Sequence, residues 1–200
     1  EQALNMIDEV GGMGTKRFSF NGGEPLLRKD LGDLIKRTKE YGMISTIFSN
    51  GSLVKKRIQD IKDVNILIIS FDGPKEIQDR QRMKGAYDGV IEAIKTAKEN
   101  GMEVWTNTVL TKDNLDHIDF ILDTAKRLKL KTIFQPVLHY PHSSKIENIK
   151  KLSPLTQKYH QVIEKLKEEK KKNNSIIHSI KYFDYISTPS WDINTRKCWA

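Results

Sequence analysis

The sequence contains one cysteine, Cys198, among its 200 residues. A single cysteine excludes an internal disulfide framework and, taken alone, any metal site that needs several thiolates. It also favours a reducing compartment, so we predict a cytoplasmic location. The sequence lacks any run of about 18 apolar residues, which excludes a transmembrane helix. It does not open with a basic segment followed by an apolar stretch, so we expect neither a secretory signal nor a membrane partner.

Acidic residues are scarce toward the end of the chain, and this scarcity accounts for most of the net charge of +8. Residues 1–144 hold 22 basic and 20 acidic side chains, whereas residues 145–200 hold 12 and 6. The excess lies around Lys165–Lys172, where lysine and glutamate interleave as they do on a solvated helix face. No interleaving of aromatic and basic residues supports a nucleic-acid binder. We therefore predict no nucleic-acid partner, and contact with an acidic partner is the weaker alternative.

Five short β-prone runs are separated by amphipathic stretches with helical spacing. The runs are Lys16–Phe20, Ser45–Phe48, Ile66–Phe71, Glu103–Leu110 and Thr132–Val137. This spacing is the rhythm of a parallel sheet whose crossover helices cover its faces. The consecutive apolar residues of Ile66–Ile69 are typical of a strand buried on both faces. The sequence therefore predicts an α/β fold with a parallel sheet.

Helices are predicted wherever apolar residues recur three and four positions apart. One such pattern follows Asp30, which we expect to be its N-cap. A later helix is predicted over residues 155–166, and beyond Asn174 the sequence carries no clear pattern. A further pattern begins at Leu4 without a preceding cap, so we expect the chain to be a fragment of a longer protein. A small protein with irregular ends is the alternative.

Polar residues follow every predicted strand, several of them beside glycine. In parallel β/α folds ligands bind at the carboxyl ends of the strands, so these residues are candidates for a binding site. They are Asn21-Gly22-Gly23-Glu24-Pro25, Ser49-Asn50-Gly51, Ser70-Phe71-Asp72-Gly73-Pro74, Asn107 with Thr108, and Gln135. Glycine, asparagine, aspartate and proline also form turns, so loop chemistry alone explains part of this pattern.

The tetrapeptide Gly22-Gly23-Glu24-Pro25 is the most informative of these sites. Two glycines let the backbone approach a ligand closely, and both the backbone carbonyls and the Glu24 carboxylate accept hydrogen bonds. Such acceptors suit an ammonium group, whereas a phosphate requires free N–H groups at a helix start. Arg82, ten residues beyond Asp72, can bring a guanidinium to a carboxylate. An ordinary β-turn and a surface arginine are the alternative interpretations.

Four motifs occur in a fixed order along the predicted strand ends. They are Gly22-Gly23-Glu24-Pro25-Leu26; Ser49-Asn50-Gly51; Ser70-Phe71-Asp72-Gly73-Pro74 with Asp79, Arg82 and Gly85; and Thr111-Lys112-Asp113-Asn114. Together they resemble the radical S-adenosylmethionine (SAM) superfamily over about residues 1–138. The final residues, Arg196-Lys197-Cys198-Trp199-Ala200, resemble the entrance to a SPASM-type extension, which carries auxiliary iron–sulfur clusters.

The resemblance implies a partial (β/α)6 TIM-type barrel over residues 1–138, without its first strand and cluster loop. A connector and helical segment over residues 139–200 would lead to the SPASM-type extension. A CxxxCxxC motif expected upstream of Glu1 would bind a [4Fe–4S] cluster, and Cys198 would be an auxiliary-cluster ligand. This chain departs from the family pattern because it lacks the cysteine triad, so we do not expect it to hold the radical-generating cluster alone.

The resemblance also implies an activity and a set of SAM-binding residues. SAM would be cleaved reductively to a 5′-deoxyadenosyl radical, which removes a hydrogen atom from a substrate. In this branch we expect the substrate to be a peptide or protein. A flavodoxin or ferredoxin would be the reductant. The implied SAM-binding residues are Gly22, Gly23, Glu24, Pro25, Ser49, Asn50, Ser70, Asp72, Arg82, Asn107 and Gln135. Glu24 would receive the ammonium, Arg82 the carboxylate, and Asn107 and Gln135 would line the ribose or substrate side. No catalytic residue is identified.

Three other interpretations remain open at this point. The chain could be a cluster-free module that binds SAM or a peptide without radical catalysis. It could be another (β/α) enzyme, such as an aldolase or isomerase acting on phosphorylated sugars, although no glycine-rich phosphate loop follows Thr132–Val137. The side chains of His139, Tyr140 and His142 suggest a metal site, but they lack a third ligand at suitable spacing, so a polar loop is favoured.

Overall fold

The computed structural model describes residues 1–137, 152–153 and 156–187 of the chain. Strands and helices alternate along this part of the sequence, as predicted. The strands are β1 (Arg17–Phe20), β2 (Ile44–Ser49), β3 (Ile66–Ser70), β4 (Val104–Leu110) and β5 (Lys131–Pro136). The helices are α1 (Gln2–Gly12), α2 (Leu31–Glu40), α3 (Val54–Ile61), α4 (Lys75–Gln81), α5 (Ala86–Glu99), α6 (Ile118–Arg127), α7 (Thr156–Lys172) and α8 (Ile180–Ser187), with short 3-10 helices at Pro25–Leu27 and Leu115–His117.

The strands form a five-stranded sheet in the order β1-β2-β3-β4-β5. β1 and β2 pair in parallel with Phe18 opposite Ser45, and β2 and β3 pair in parallel with Ile47 opposite Leu67. Each helical crossover therefore returns the chain to the next position in the sheet, as in a barrel of β/α units. This arrangement confirms the predicted fold class. The ends of the observed strands differ from the predicted ones by no more than one residue.

The chain divides into two compact units, of which the first comprises residues 1–71 and 82–106. Its core contains Ile47 of β2 and Leu67 and Ile69 of β3, all fully buried. All four residues of Ile66–Ile69 are buried, which confirms the prediction from their consecutive apolar character. Amphipathic helices cover this sheet segment through their apolar faces, so the polar loops at the strand ends are left at its rim.

The second unit comprises residues 72–81 and the chain from residue 107 onward. Its core packs Ile121 of α6 and Phe134 of β5 with Tyr159 and Ile163 of α7 and Phe183 of α8, all fully buried. A short segment after α7 lies along β5. Thr132 donates its N–H to the Ser175 carbonyl (2.7 Å) and accepts from the Ile177 N–H (3.0 Å), so residues 175–177 continue the hydrogen bonding beside β5.

Three helical features differ from the sequence-based expectation. Asp30 occupies the N-cap position of α2, as predicted, but its side chain accepts from Arg28 (2.9 Å) and makes no capping hydrogen bond. Neither α4 nor α8 was predicted. α4 has only seven residues, and α8 is rich in aromatic and β-branched residues, which have weak helix propensity. Packing of Phe183 and Ile186 in the core of the second unit stabilises α8 instead.

Most lysines of α7 pair with nearby carboxylates, whereas Lys170 donates to the Ile176 carbonyl. Lys171 and Lys172 contact glutamates three residues before them on the same helix, and Lys165 contacts Asp119 at the start of α6. This is the pattern of a solvated helix face, as the sequence predicted. No helix within the described ranges is both long and apolar enough to cross a membrane.

Several sequence predictions fall outside the described residues. These are the roles of His139, Tyr140 and His142, most of the loop or connector predicted over residues 138–153, and the SPASM-like end with Cys198.

Candidate functional site

The Glu24 loop, residues 21–30, follows β1 in the first unit and is organised around one carboxylate. Glu24 Oε1 accepts from the Ser49 hydroxyl (2.9 Å) and the Leu26 backbone N–H (3.2 Å), and Oε2 accepts from the Asn50 backbone N–H (2.8 Å). The structure thus brings together three residues that the sequence predicted for one site. A carboxylate has about four acceptor positions. With three of them used here, one position on Oε2 remains for a ligand.

The two glycines before Glu24 lie in the open. Gly22 has a φ of 149°, a conformation that favours glycine, and no atom comes within 4 Å of where its Cβ would be. Gly22 and Gly23 are both exposed, and among the described residues neither has a hydrogen-bonded partner. Their carbonyl oxygens are therefore available as acceptors next to the Glu24 carboxylate. Pro25, by contrast, is buried and begins the following 3-10 helix.

The loop after β2 is itself ordered by hydrogen bonds around the residues that hold Glu24. The Ser49 hydroxyl that donates to Glu24 also accepts from the Gly51 N–H (3.0 Å). Gly51 has a φ of 86°, and a Cβ there would lie 3.3 Å from Ala93 and 3.4 Å from Ile69. The position therefore needs glycine for its conformation and leaves little room for a larger residue. The exposed Asn50 fixes the turn by accepting from the Ser52 N–H (2.9 Å).

Arg57 is a site residue that the sequence reasoning missed. From α3 its guanidinium donates to the backbone carbonyls of Leu26 (2.6 Å), Arg28 (3.1 Å) and Lys29 (3.3 Å), and its Nε contacts the Asp60 carboxylate. A signal was present, because position 57 lies three residues after the buried Val54 and therefore on the inner face of the helix. An arginine on an inner face requires hydrogen-bond acceptors.

Ser70 and Arg82, the other predicted residues of the first unit, lie at element ends. Ser70 is the last residue of β3 and is half-buried. Arg82 follows α4 in the chain and is exposed, ahead of the left-handed Gly85 at which α5 begins. No described hydrogen bond joins Arg82 to the Glu24 loop.

Asp72 lies in the second unit and is only 1% exposed. Its Oδ1 accepts from the Val109 N–H (3.3 Å), and its own N–H donates to Gln78 Oε1 (2.6 Å). The carboxylate thus links the end of β4 to the loop before α4. The contacts favour a bracing role for Asp72, in contrast to direct ligand contact.

Asn107 and Gln135, also in the second unit, are brought together by neighbouring strands. The Asn107 amide Nδ2 lies 3.5 Å from Gln135 Oε1. Asn107 is 8% exposed, and its buried Oδ1 has no hydrogen-bond partner within the part of the chain that the structure describes. An unsatisfied buried acceptor costs folding free energy. It is therefore a candidate contact for a ligand donor such as a hydroxyl.

Comparison with known proteins identifies the family. The model of the Radical SAM superfamily matches residues 1–125, which include the Glu24 loop and the polar ends of β2, β3 and β4. The chain belongs to the radical SAM superfamily. Members of this family use SAM and a [4Fe–4S] cluster.

The chain is similar in sequence to several radical SAM enzymes. It is 31% identical over 153 residues to the Fe-coproporphyrin III synthase of Methanosarcina barkeri, covering 74% of this chain and 38% of that protein. It is 30% identical over 188 residues to the GTP 3′,8-cyclase of Helicobacter pylori, covering 87% and 55%. It is 27% identical over 134 residues to the PqqA peptide cyclase of Granulibacter bethesdensis, covering 64% and 36%. The chain thus spans roughly one third to one half of these relatives.

Solved radical SAM structures share the fold. The structure of anSMEcpe with bound AdoMet (SAM) and Kp18Cys peptide aligns over 91% of this chain and 55% of that one, with a TM-score of 0.70 and 20% identity. SuiB of Streptococcus suis bound to its precursor peptide SuiA aligns over 80% of this chain and 37% of that one, with a TM-score of 0.62 and 18% identity.

The residues of the first unit fit SAM, but the chain does not fit the cluster. Free carbonyls at Gly22 and Gly23 and a spare acceptor position on Glu24 suit an ammonium, and the exposed Arg82 suits a carboxylate. A [4Fe–4S] cluster needs several thiolates, whereas the sequence contains Cys198 alone. No group of three histidine, cysteine, aspartate or glutamate side chains placed to hold a metal occurs in the described residues.

Proposed function

We propose that this chain is the SAM-binding core of a radical SAM enzyme that acts on a peptide or protein. The observation that carries the SAM assignment is the Glu24 loop, where exposed glycine carbonyls and a partly satisfied carboxylate form a set of acceptors. In such an enzyme SAM supplies, on reductive cleavage, a 5′-deoxyadenosyl radical that takes a hydrogen atom from the substrate. The peptide assignment is supported by the similarity to a PqqA peptide cyclase.

In this proposal the residues of the first unit bind and orient SAM. The Gly22 and Gly23 carbonyls and Glu24 Oε2 accept hydrogen bonds from the ammonium, and Arg82 pairs with the carboxylate. Pro25 fixes the turn. Ser49 and Asn50 hold the Glu24 carboxylate through the hydrogen bonds described above, so its free acceptor position faces one direction before the ligand arrives. Ser70 contributes a hydroxyl to the methionine or ribose part.

The second unit contributes polar groups and bracing. Asn107 and Gln135 offer an acceptor and a donor, respectively, to the ribose or to the substrate. Asp72 keeps the strand ends in place through Val109 and Gln78.

We further propose that residues 1–138 form the barrel domain and residues 139–200 lead to a SPASM-type extension, with Cys198 as an auxiliary-cluster ligand. The cysteines of the radical-generating cluster would lie outside these 200 residues, and a flavodoxin or ferredoxin would reduce it.

A substitution of Glu24 tests the proposal. In the complete protein, reconstituted anaerobically, we expect Glu24→Gln to weaken SAM binding about tenfold or more, because hydrogen bonds to a charged acceptor contribute about 1.5–3 kcal/mol. Equilibrium dialysis measures the affinity, and release of 5′-deoxyadenosine measures cleavage. The matched control is Glu99→Gln, an exposed glutamate at the end of α5. Wild-type affinity in Glu24→Gln would contradict the assigned role.

The same experiment separates the proposal from a cluster-free binding module, the alternative explanation of a chain that contains one cysteine. A module would bind SAM or a peptide but release no 5′-deoxyadenosine, and the complete sequence would contain no CxxxCxxC motif. An enzyme would show both the motif and cleavage. Thermal unfolding of each variant shows whether the protein still folds.

A further inference from the structure

Arg57 contacts the Glu24 loop downstream of the candidate ligand-binding atoms. Its guanidinium reaches the carbonyls of Leu26, Arg28 and Lys29, and its side chain is 16% exposed. Leu26 lies within the 3-10 helix that begins at Pro25, and Arg28 and Lys29 follow it. The last carbonyls of a helix have no partner within the helix, so a cation that binds them replaces the missing hydrogen bonds.

The shape of the guanidinium suits this position. Arginine presents five N–H groups in a planar fork, whereas a lysine ammonium acts as a point charge on a flexible stem. Arg57 directs Nη1 to Leu26 and Nη2 to both Arg28 and Lys29, while the contact of Nε with Asp60 orients the plane from the other side. One side chain therefore holds three backbone carbonyls of the Glu24 loop.

The Glu24 loop is thus held at two points by a single β/α connection. Upstream, Ser49 and Asn50 at the end of β2 hold the Glu24 carboxylate. Downstream, Arg57 on the helix that follows holds the backbone up to Lys29. Because the carboxylate and the backbone after it are both held by this β2–α3 connection, the direction of the Glu24 carboxylate depends on Ser49 and Asn50 and also on Arg57.

We propose that Arg57 is a positioning residue that sets the Gly22-Gly23-Glu24 acceptors for the ammonium of SAM. This inference rests on the proposed function. Four of the five N–H groups of Arg57 are used by the backbone and by Asp60, so we assign Arg57 no direct contact with the ligand. Its effect on binding passes through the loop, so it must depend on Glu24 and on the ammonium of the ligand.

The test replaces Arg57 by lysine, which keeps the charge and loses the fork. We expect the variant to bind SAM about tenfold more weakly in the cluster-loaded complete protein. Binding of a SAM analogue without the amino group should change less than twofold. In a double-mutant cycle, adding Arg57→Lys to Glu24→Gln should cause little further loss, because both changes act on one contact.

Two controls separate positioning from general destabilisation. Lys55 lies on α3, as Arg57 does, and forms an exposed ion pair with Glu92 of α5. Lys55→Ala removes this pair and should leave SAM affinity unchanged. Ile61→Val trims a buried residue at the end of α3, which lowers stability without touching the loop contacts. If Ile61→Val weakens SAM binding as much as Arg57→Lys does, the positioning role is wrong.

Amide hydrogen exchange gives a readout independent of catalysis. In the complete protein, Arg57→Lys should increase exchange at Leu27 and Arg28, whose N–H groups donate to the Glu24 and Pro25 carbonyls, without affecting β3. Unchanged exchange would overturn the proposed contact. Increased exchange with unchanged SAM affinity would overturn the positioning role while leaving the proposed function intact. Absence of SAM binding in the wild-type complete protein would overturn both.

Discussion

Two acidic residues that follow β-strands, Glu24 and Asp72, have opposite environments. Glu24 lies between glycine and proline, Asp72 is followed by Gly73-Pro74, and both were predicted to contact the same ligand. Glu24 lies half-buried in the first unit, beside exposed glycines, with one acceptor position left over. Asp72 lies almost fully buried in the second unit, bonded to the backbone of β4 and to α4.

The comparison shows that an acidic residue after a strand can either bind a ligand or brace the protein, and that its burial distinguishes the two roles. A carboxylate with spare acceptor positions at an open rim is available to a ligand. A buried carboxylate must find its partners within the protein, because an unpaired buried charge costs several kcal/mol. On this basis we propose that the Glu24 loop is the binding element and that Asp72 is a brace.

The largest expected effect is on stability, at Asp72. Replacing Asp72 by alanine leaves the Val109 N–H without its acceptor, and we expect a loss of about 2–3 kcal/mol in the free energy of unfolding. Glu24→Gln should lose about 1 kcal/mol or less, because its loop faces water and glutamine keeps one acceptor oxygen. Urea unfolding of both variants measures the difference. Equal losses would remove the distinction between brace and binding element.

A smaller, pH-dependent effect should be confined to the second unit. Burial lowers the pKa of His178 to about 4, with a further contribution from the charge of Lys170. Its Nδ1 accepts from the Phe134 N–H (3.4 Å), and its ring stacks on Tyr182 with centroids 3.8 Å apart. Because the folded pKa is below the ordinary value of 6.5, the neutral ring is favoured by folding. Its contribution is complete above pH 6.5 and is lost as the pH falls toward 4.

Hydrogen exchange at pH 6.5 and pH 5 checks this expectation. Protection within β5 should fall at the lower pH after correction for intrinsic rates, whereas the Glu24 loop should be unaffected, since residues 1–71 and 82–106 contain no histidine. His178→Gln keeps a hydrogen-bonding side chain that does not titrate, so its β5 protection should not vary between these pH values. A pH response of equal size in the variant would exclude His178 as the cause.

The smallest effects are expected at two ion pairs, one in the Glu24 loop and one in the second unit. Arg28 binds Asp30 near Glu24, and this hydrogen bond is the main cause that lowers the pKa of Asp30. Arg80 lies 3.8 Å from Asp113 in the second unit. Exposed pairs contribute little to stability, so Arg28→Ala and Arg80→Ala should each shift the thermal midpoint by about 2 °C or less. A larger shift in either would show that the pair supports its neighbouring loop.

Much of the fold and part of the site could be predicted from the sequence. Apolar periodicity located all five strands, and the rule that parallel strands share one end correctly grouped Glu24, Ser49 and Asn50. The sequence could not show that the Asp72 side chain is buried, because an aspartate after a strand is typical both of a turn and of a ligand-binding site. The outcome depends on Val109 and Gln78, whose positions follow from packing.

Other features escaped prediction for a different physical reason. Arg57 carries a local signal, its place on an inner helix face, but its partners are backbone carbonyls, which any sequence supplies. α8 forms because Phe183 and Ile186 are buried by the rest of the second unit, and its own residues favour other conformations. Both outcomes depend on tertiary contacts that a local pattern does not record.

The segment at residues 175–177 lies against the outer side of β5 through the backbone of Thr132. An uncovered outer strand offers its free amides and carbonyls to strands of other molecules and invites intermolecular aggregation. Residues 175–177, which follow α7, bond to the backbone N–H and carbonyl of Thr132 and so cover this part of β5. A protein shortened to end within α7 would lose this cover and would be prone to self-association along β5.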